Sequence, residues 1–224
     1  MQRLLILAEG QTEENFIKNV LAPYLRNLNI YVYVSIVRTK EPPAGKPFRG
    51  GLLNYEKVRK DIFRLLDDTD ALVTTMFDLY GLPGNFPGLG VGFELLNARG
   101  KVSRVQNAFE RNIDHRRFFP FIMLHEFEAL VLASPQTLGD HFNSFALTQW
   151  CTEINRTAGG PEMVNDGRDT APSKRLSIAI TDYKKVFDGP AIIAKEGWAA
   201  VRSRCPHFNN WIVWLESLAP AAVI

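Results

Sequence analysis

The sequence has few cysteines and no long apolar run. Its two cysteines, Cys151 and Cys205, are too far apart in the chain for a disulfide framework or for the close ligand spacing of a zinc knuckle. No apolar run approaches the ~18 residues that a membrane-spanning helix needs. The chain opens on a short strand-like segment rather than on a signal peptide. We therefore expect a protein of the reducing cytoplasm with no membrane segment.

Several functional motifs are also missing. The formal charge of +2 is too small to indicate nucleic-acid binding by itself, so any basic surface must come from local clustering. The chain has no Walker motif, so an ATPase activity would belong to a separate chain. It also has no Gly-x-Ser-x-Gly turn, which disfavours a Ser–His–acid hydrolase.

Strand-like and helix-like stretches alternate along the first half of the chain. Strands are predicted at residues 4–8, 30–37, 71–77 and 118–124, which are short and rich in apolar, β-branched or aromatic residues. Helices are predicted from residue 12 onward, at 55–68 and at 98–112. This order predicts an α/β fold that is Rossmann-like, with a mostly parallel sheet flanked by helices.

The last third of the sequence is mainly helical. Apolar residues recur at helical spacing in residues 148–154, 173–181, 195–204 and 208–218. We predict that residues 1–135 form the α/β core. Residues 136–224 are expected to pack on it as a helical C-terminal part of the same structural domain.

Acidic residues follow two of the predicted strands. Glu9 comes directly after the first strand, and Asp78 after the third. Gly10 permits a turn, Thr12 is the expected helix N-cap, and Glu13 lies in the first helical turn. Because ligands of open α/β sheets bind at the carboxyl ends of the strands, we expect these carboxylates to converge there.

Two further acids, Glu126 and Glu128, follow the strand predicted at 118–124. If this segment is still extended, both side chains point to one face. If a helix has already begun, they diverge and only one can serve the site. The sequence leaves both alternatives open.

Clustered carboxylates repel one another unless a cation neutralises them. Oxygen ligands suit Mg²⁺ or Mn²⁺, and such an ion can position a phosphodiester and activate water. The predicted metal site consists of Glu9, Glu13, Asp78, Glu126 and Glu128. The alternative is that each acid caps a helix or pairs with a nearby arginine. For His125 and His207 the alternatives are membership of the site and a structural role, and the structural role is the commoner one for a lone histidine.

The strongest local basic cluster lies in and after the helix predicted at 98–112. A nucleic-acid role there would involve Arg99, Lys101, Arg104, Arg116 and Arg117. The alternative is a solvated helix face. Lys174 and Arg175 follow Pro172 at a predicted helix start, where they are well placed to meet a bound anion.

Four stretches carry a family resemblance. The segment from Glu9 to Glu13 (EGQTE) resembles the opening motif of Toprim domains, particularly those of the overcoming-lysogenization-defect nucleases. The segments TTMFDLYGLP (74–83), HEFEAL (125–130) and APSKR (171–175) resemble bacterial proteins of domain-of-unknown-function family 4276. The second resemblance extends over nearly the whole chain.

The Toprim resemblance implies roles for single positions. Glu9 matches a glutamate that acts as metal ligand or general acid/base, and Glu13 matches a further metal-site acid. Asp78 matches the first aspartate of an Asp-x-Asp motif, whose second position is Tyr80 here. Glu126 or Glu128 would restore the missing ligand, and Lys174 matches a lysine that stabilises charge on the phosphate.

The resemblance implies a Toprim-like fold and a metal-dependent nuclease that acts on DNA or RNA. It also implies a separate ABC-type ATPase encoded nearby and a role in anti-phage defence or DNA processing. Two alternatives stay open: a non-catalytic subunit that binds an ATPase or nucleic acid, and a small-molecule phosphohydrolase.

Overall fold

The computed structural model describes residues 1–37, 52, 54–164 and 170–220. The chain forms a parallel sheet with strand order β2-β1-β3-β4, in which β5 also pairs with β3. The strands are β1 (Gln2–Ala8), β2 (Ile30–Ile36), β3 (Ala71–Asp78), β4 (Phe118–Phe119) and β5 (Ile122–Met123). The predicted α/β fold with a parallel, Rossmann-like sheet is confirmed.

Helices flank the sheet and form the C-terminal part. Those before residue 135 are α1 (Gln11–Phe16), a π-helical turn (Ile17–Leu21), α2 (Ala22–Arg26), α3 (Tyr55–Leu66), α4 (Ala98–Ile113) and α5 (Glu128–Leu132). Those that follow are α6 (Pro135–His141), α7 (Phe145–Ala158), α8 (Pro172–Ala179), α9 (Lys185–Glu196), α10 (Trp198–Arg204) and α11 (Pro206–Ser217). None of these described helices combines the length and the apolar character that a membrane crossing requires.

Strand β1 is buried on both faces, as its continuous apolar run predicts. Leu4 and Ile6 belong to the apolar cluster that includes α1 and the C-terminal helices, whereas Leu5 and Leu7 belong to the cluster that includes α3 and α4. Successive side chains of a strand point to opposite faces, so β1 contributes to both clusters.

The strand predicted at 118–124 is interrupted. β4 and β5 are two short segments that pair with β3 on either side of Pro120, which has no amide hydrogen to donate to the ladder. The Thr75 hydroxyl bridges the gap: it accepts from Phe121 N (3.0 Å) and donates to Phe121 O (2.9 Å).

Helix α11 attaches the C-terminal part to the sheet. Trp211 stacks on Phe121 with ring centroids 4.3 Å apart, and its indole donates to the Thr74 hydroxyl at 3.2 Å. One apolar cluster contains Leu4 of β1 together with Leu215 of α11. The carboxyl ends of β1 and β3 are thereby held in a common core with the helices that follow residue 135.

Candidate functional site

Glu9 and Asp78 meet at the carboxyl edge of the sheet. Glu9 N donates to Met76 O at 3.1 Å, which continues the β1–β3 ladder past Ala8. Glu9 Oε2 accepts from Asp78 N at 3.0 Å. Gly81 packs directly on this carboxylate, because a Cβ at position 81 would lie only 2.2 Å from Glu9 Oε1.

Glu13 reaches the same edge from α1. Its Oε2 accepts from Gly10 N at 2.9 Å, so the carboxylate closes the first turn of the helix. The expected N-cap at Thr12 is wrong: Gly10 has the extended backbone of a cap residue and the helix begins at Gln11. Thr12 is instead buried inside the first turn.

Glu126 and Glu128 are anchored in different ways. Helix α5 begins at Glu128, and Glu126 precedes it. Glu126 Oε2 accepts from Ser173 N at 2.9 Å, in the first turn of α8. Asp78 Oδ1 accepts from Phe127 N at 2.8 Å, so the segment between the two glutamates is tied to β3. Both glutamates interact electrostatically with Lys185, so the start of α5 does not remove either from the site.

Lys185 is the functional candidate that the sequence analysis missed. Its Nζ lies 3.1 Å from Glu128 Oε2 and 3.9 Å from Asp78 Oδ2. It is the first residue of α9, a helix that was not predicted, since the prediction at 195–204 corresponds to α10. The only available signal was the Lys184–Lys185 pair before an apolar run.

The predicted acids therefore converge around one ammonium group. We call Glu9, Glu13, Asp78, Glu126 and Glu128 the carboxylate cluster. A cavity of about 270 Å³ opens beside it, lined by Glu9, Glu13, Asp78, Lys185 and their neighbours Gly10, Gln11, Thr12 and Val186.

Four of these acids, Glu9, Glu13, Asp78 and Glu128, are hard to ionise, chiefly because they are buried. Burial and then the charge of Glu13 raise the pKa of Glu9 to about 7. Burial raises the pKa of Glu128 to about 7, and it holds the pKa values of Asp78 and Glu13 above their usual range. Burial lowers the pKa of Lys185, but Glu128 and Asp78 outweigh it and raise that pKa above its ordinary value.

The donor set is chemically suited to a hard cation. All five groups offer carboxylate oxygens, and Glu128 Oε1 is fully buried with no hydrogen-bond partner among the described residues. As the side chains stand, no three acidic, histidine or cysteine groups of the described segments surround a common metal position.

Tyr80 and His125 form a pair next to the cluster. The Tyr80 hydroxyl and His125 Nδ1 are 2.9 Å apart, and the two rings stack with centroids at 5.3 Å. His125 has a left-handed backbone (φ 71°), and burial lowers its pKa to about 4, so its imidazole is neutral at physiological pH. His207, in contrast, bonds Ile122 O through Nε2 at 2.7 Å and stacks on Phe121, as a structural residue does.

The predicted basic set is divided between the two ends of α4. Lys101 in the first turn is close enough to influence the pKa of His125, and Arg99 is in the same turn. The Arg117 guanidinium instead lies against the start of β3, where it donates to Ala71 O (2.8 Å) and to Leu66 O (2.6 Å). Arg116 is exposed beside it.

The remaining predicted residues have other settings. Arg104 donates to Val91 O at 3.1 Å, and Arg175 donates to Thr170 O at 2.8 Å. Lys174 is exposed in the first turn of α8, next to Ser173, whose amide binds Glu126. Its proposed role at the phosphate stays a prediction.

Comparison with known proteins gives one family. The model of the family described as domain of unknown function (DUF4276) matches residues 8–216, which include every member of the carboxylate cluster. No curated protein and no solved structure matches the chain. The chain belongs to the DUF4276 family.

Proposed function

We propose that this protein is a nuclease that hydrolyses phosphodiesters with Mg²⁺ or Mn²⁺, in the manner of Toprim enzymes. The observation that supports it most is the convergence of five carboxylates and Lys185 at the carboxyl edge of a parallel sheet. Such a concentration of negative charge is costly for stability alone, and perturbed pKa values of this kind cluster at functional sites. The resemblance of residues 9–13 to the Toprim opening motif gives independent support.

Each member of the site has a chemical role in this proposal. A bound divalent ion would neutralise the cluster and polarise the phosphate. Asp78, Glu13, Glu126 and Glu128 would hold it. Glu9, with a pKa of about 7, can accept or donate a proton at neutral pH, which is the property of a general acid/base. Lys185 keeps a positive charge beside the cluster.

A cleavage assay with a matched pair of variants tests the proposal. Supercoiled, linear and single-stranded DNA and tRNA are incubated with Mg²⁺ or Mn²⁺, using the wild type, Glu9→Gln and Glu14→Gln. Glu14 is the neighbour of Glu13 but pairs with Lys18 at the surface (2.7 Å). Cleavage that is lost in Glu9→Gln and kept in Glu14→Gln supports the nuclease. Cleavage that survives Glu9→Gln contradicts it.

A second candidate, a non-catalytic partner subunit of an ABC-type ATPase, is favoured by two observations. Tyr80 stands where an Asp-x-Asp motif would have its second acid, and Lys185 already supplies a cation to the cluster. Calorimetry distinguishes the two: the nuclease predicts Mn²⁺ binding that Asp78→Asn weakens, whereas a scaffold stabilised by Lys185 predicts none. Co-purification with the neighbouring ATPase, without cleavage by the pair, would also favour the scaffold.

A further inference from the structure

Tyr80 contacts His125 and is exposed at the edge of the carboxylate cluster. It lies two residues after Asp78 and directly before Gly81, which contacts Glu9. His125 stacks against its ring and bonds its hydroxyl, while 42% of the residue surface is open to solvent. An aromatic side chain fixed in this way is a flat, preorganised surface.

The support beneath Tyr80 is energetically expensive. Only 3% of the His125 surface is exposed to solvent. Its backbone is left-handed, and its Nε2 has no hydrogen-bond partner in the described part of the chain. Left-handed backbone at a non-glycine residue and an unpaired buried nitrogen each cost free energy. Such costs concentrate at ligand-binding positions, so the pair is better explained by a ligand than by packing.

A second exposed aromatic residue borders the site from α9. Phe187 is 68% exposed and follows Val186, which lines the site cavity. Val186 also lines an adjoining groove of about 210 Å³, together with Phe187, Asn15 and Asn19. The cavity beside the carboxylates and this groove thus share Val186 as a lining residue, and the exposed Phe187 lines the groove.

We propose that Tyr80 and Phe187 are stacking surfaces for unpaired bases, so that the substrate is a single-stranded nucleic acid. Every base has a flat π-face, and stacking on aromatic side chains binds single strands with little sequence preference. In a duplex these faces are covered by neighbouring base pairs. The inference rests on the proposed function, since it places the scissile phosphate of the same strand at the carboxylate cluster.

Binding measured without turnover tests this inference apart from catalysis. Anisotropy of a labelled oligonucleotide is followed with Ca²⁺ in place of Mg²⁺, for the wild type, Tyr80→Leu, Phe187→Leu and the control Tyr33→Leu. Tyr33 is 54% exposed but lies in the middle of β2, with its ring 5.7 Å from the Arg3 guanidinium. We expect about tenfold weaker binding of the single strand for the first two variants, and no change for the control.

An abasic scan identifies the stacking directly and does not depend on how well Tyr80→Leu folds. In the wild type, removal of the base at one or two positions is expected to weaken binding about tenfold. Tyr80→Phe keeps the ring and should keep this sensitivity, whereas Tyr80→Leu should lose it at one position.

The possible outcomes separate the two proposals. Equal affinity for single strand and duplex, no abasic effect in the wild type, or no binding of any nucleic acid overturns the inference. Single-strand binding that depends on Tyr80, without cleavage in Mg²⁺ or Mn²⁺, supports the inference and contradicts only the proposed nuclease activity.

Discussion

At the scale of single residues, Gly81 determines where the Glu9 carboxylate can lie. The two Glu9 oxygens and its carboxyl carbon occupy the space that a Cβ at position 81 would fill. The Asp78 amide holds the same carboxylate from the other side. The absence of a side chain at position 81 is therefore part of the site.

The substitution Gly81→Ala is expected to displace the Glu9 carboxylate, because the new methyl group would lie 2.2 Å from Oε1. Misplacement of a catalytic group by about 1 Å can cost on the order of a hundredfold in rate. The measurement is the cleavage rate, with folding checked by thermal unfolding. Gly84→Ala is the matched control, since its added Cβ would have no atom of the described residues within 4 Å other than those of its own chain neighbours. Equal loss of rate in both variants would contradict this assignment.

The Glu9 carboxyl also predicts a pH dependence of stability in the metal-free protein. Its pKa is raised from 4.5 to about 7, so the folded state binds this proton more tightly than the unfolded state. The contribution of this proton to the free energy of unfolding is complete below about pH 4.5 and is lost as the pH rises through about 7. Chemical unfolding in EDTA should show a smaller decrease across this range for Glu9→Gln than for the wild type. Parallel curves for the two proteins would contradict the raised pKa.

At the scale of secondary-structure elements, α9 is what completes the site. Its first residue, Lys185, contacts Glu128 and Asp78, and the Asn15 amide of α1 donates to Val186 O at 3.1 Å. The helix thereby joins the C-terminal part of the chain to the turn that follows β1.

Removal of the Lys185 ammonium should leave the carboxylate cluster without its internal cation. We expect Lys185→Met to lower the midpoint of thermal unfolding in EDTA, and Mn²⁺ to raise it by more than in the wild type. Lys184→Met is the control, because Lys184 is the neighbouring residue and its backbone amide, which the substitution keeps, binds Asp188 Oδ2 (2.6 Å). A variant that Mn²⁺ stabilises no more than the wild type would argue against competition between the ammonium and the metal.

The site residues at the strand ends could be predicted from the sequence. The residue that contacts them from a distant part of the chain could not. Glu9 and Asp78 follow apolar runs whose strand character is evident, and parallel topology brings such ends together. Lys185 follows no strand, and its contacts depend on how α9 packs across the sheet. The interruption at Pro120 had a signal in the sequence, because proline has no amide hydrogen for the ladder, but the Thr75 hydroxyl that bridges it comes from another strand.

At the scale of the whole molecule, α4 separates the basic residues into two groups. Its 16 residues extend about 24 Å, from the side of His125 to the start of β3. Arg99 lies at the end near the carboxylate cluster, and Arg116 lies at the other. A nucleic-acid strand with a phosphate at the cluster would lie nearer to Arg99 than to Arg116.

Nucleic-acid affinity should therefore respond differently to the two exposed arginines. Arg99→Ala is expected to weaken binding to all nucleic-acid sequences. It should also reduce the slope of log affinity against log salt concentration by about one. Arg116→Ala should change neither quantity, although it removes the same charge. The measurement is the dissociation constant as a function of salt concentration. Equal effects of the two substitutions would show that the bound strand covers both ends of α4.

The order of the site residues along the chain has a consequence for biosynthesis. All members of the carboxylate cluster precede Lys185 in sequence, and 57 positions separate Glu128 from that lysine. At ~5–20 residues per second, the ribosome needs roughly 3–11 s to add this stretch. During that interval the acids have been synthesised ahead of their counter-charge. A nascent chain thus lacks the Lys185 ammonium until this stretch has been added, which delays completion of the site.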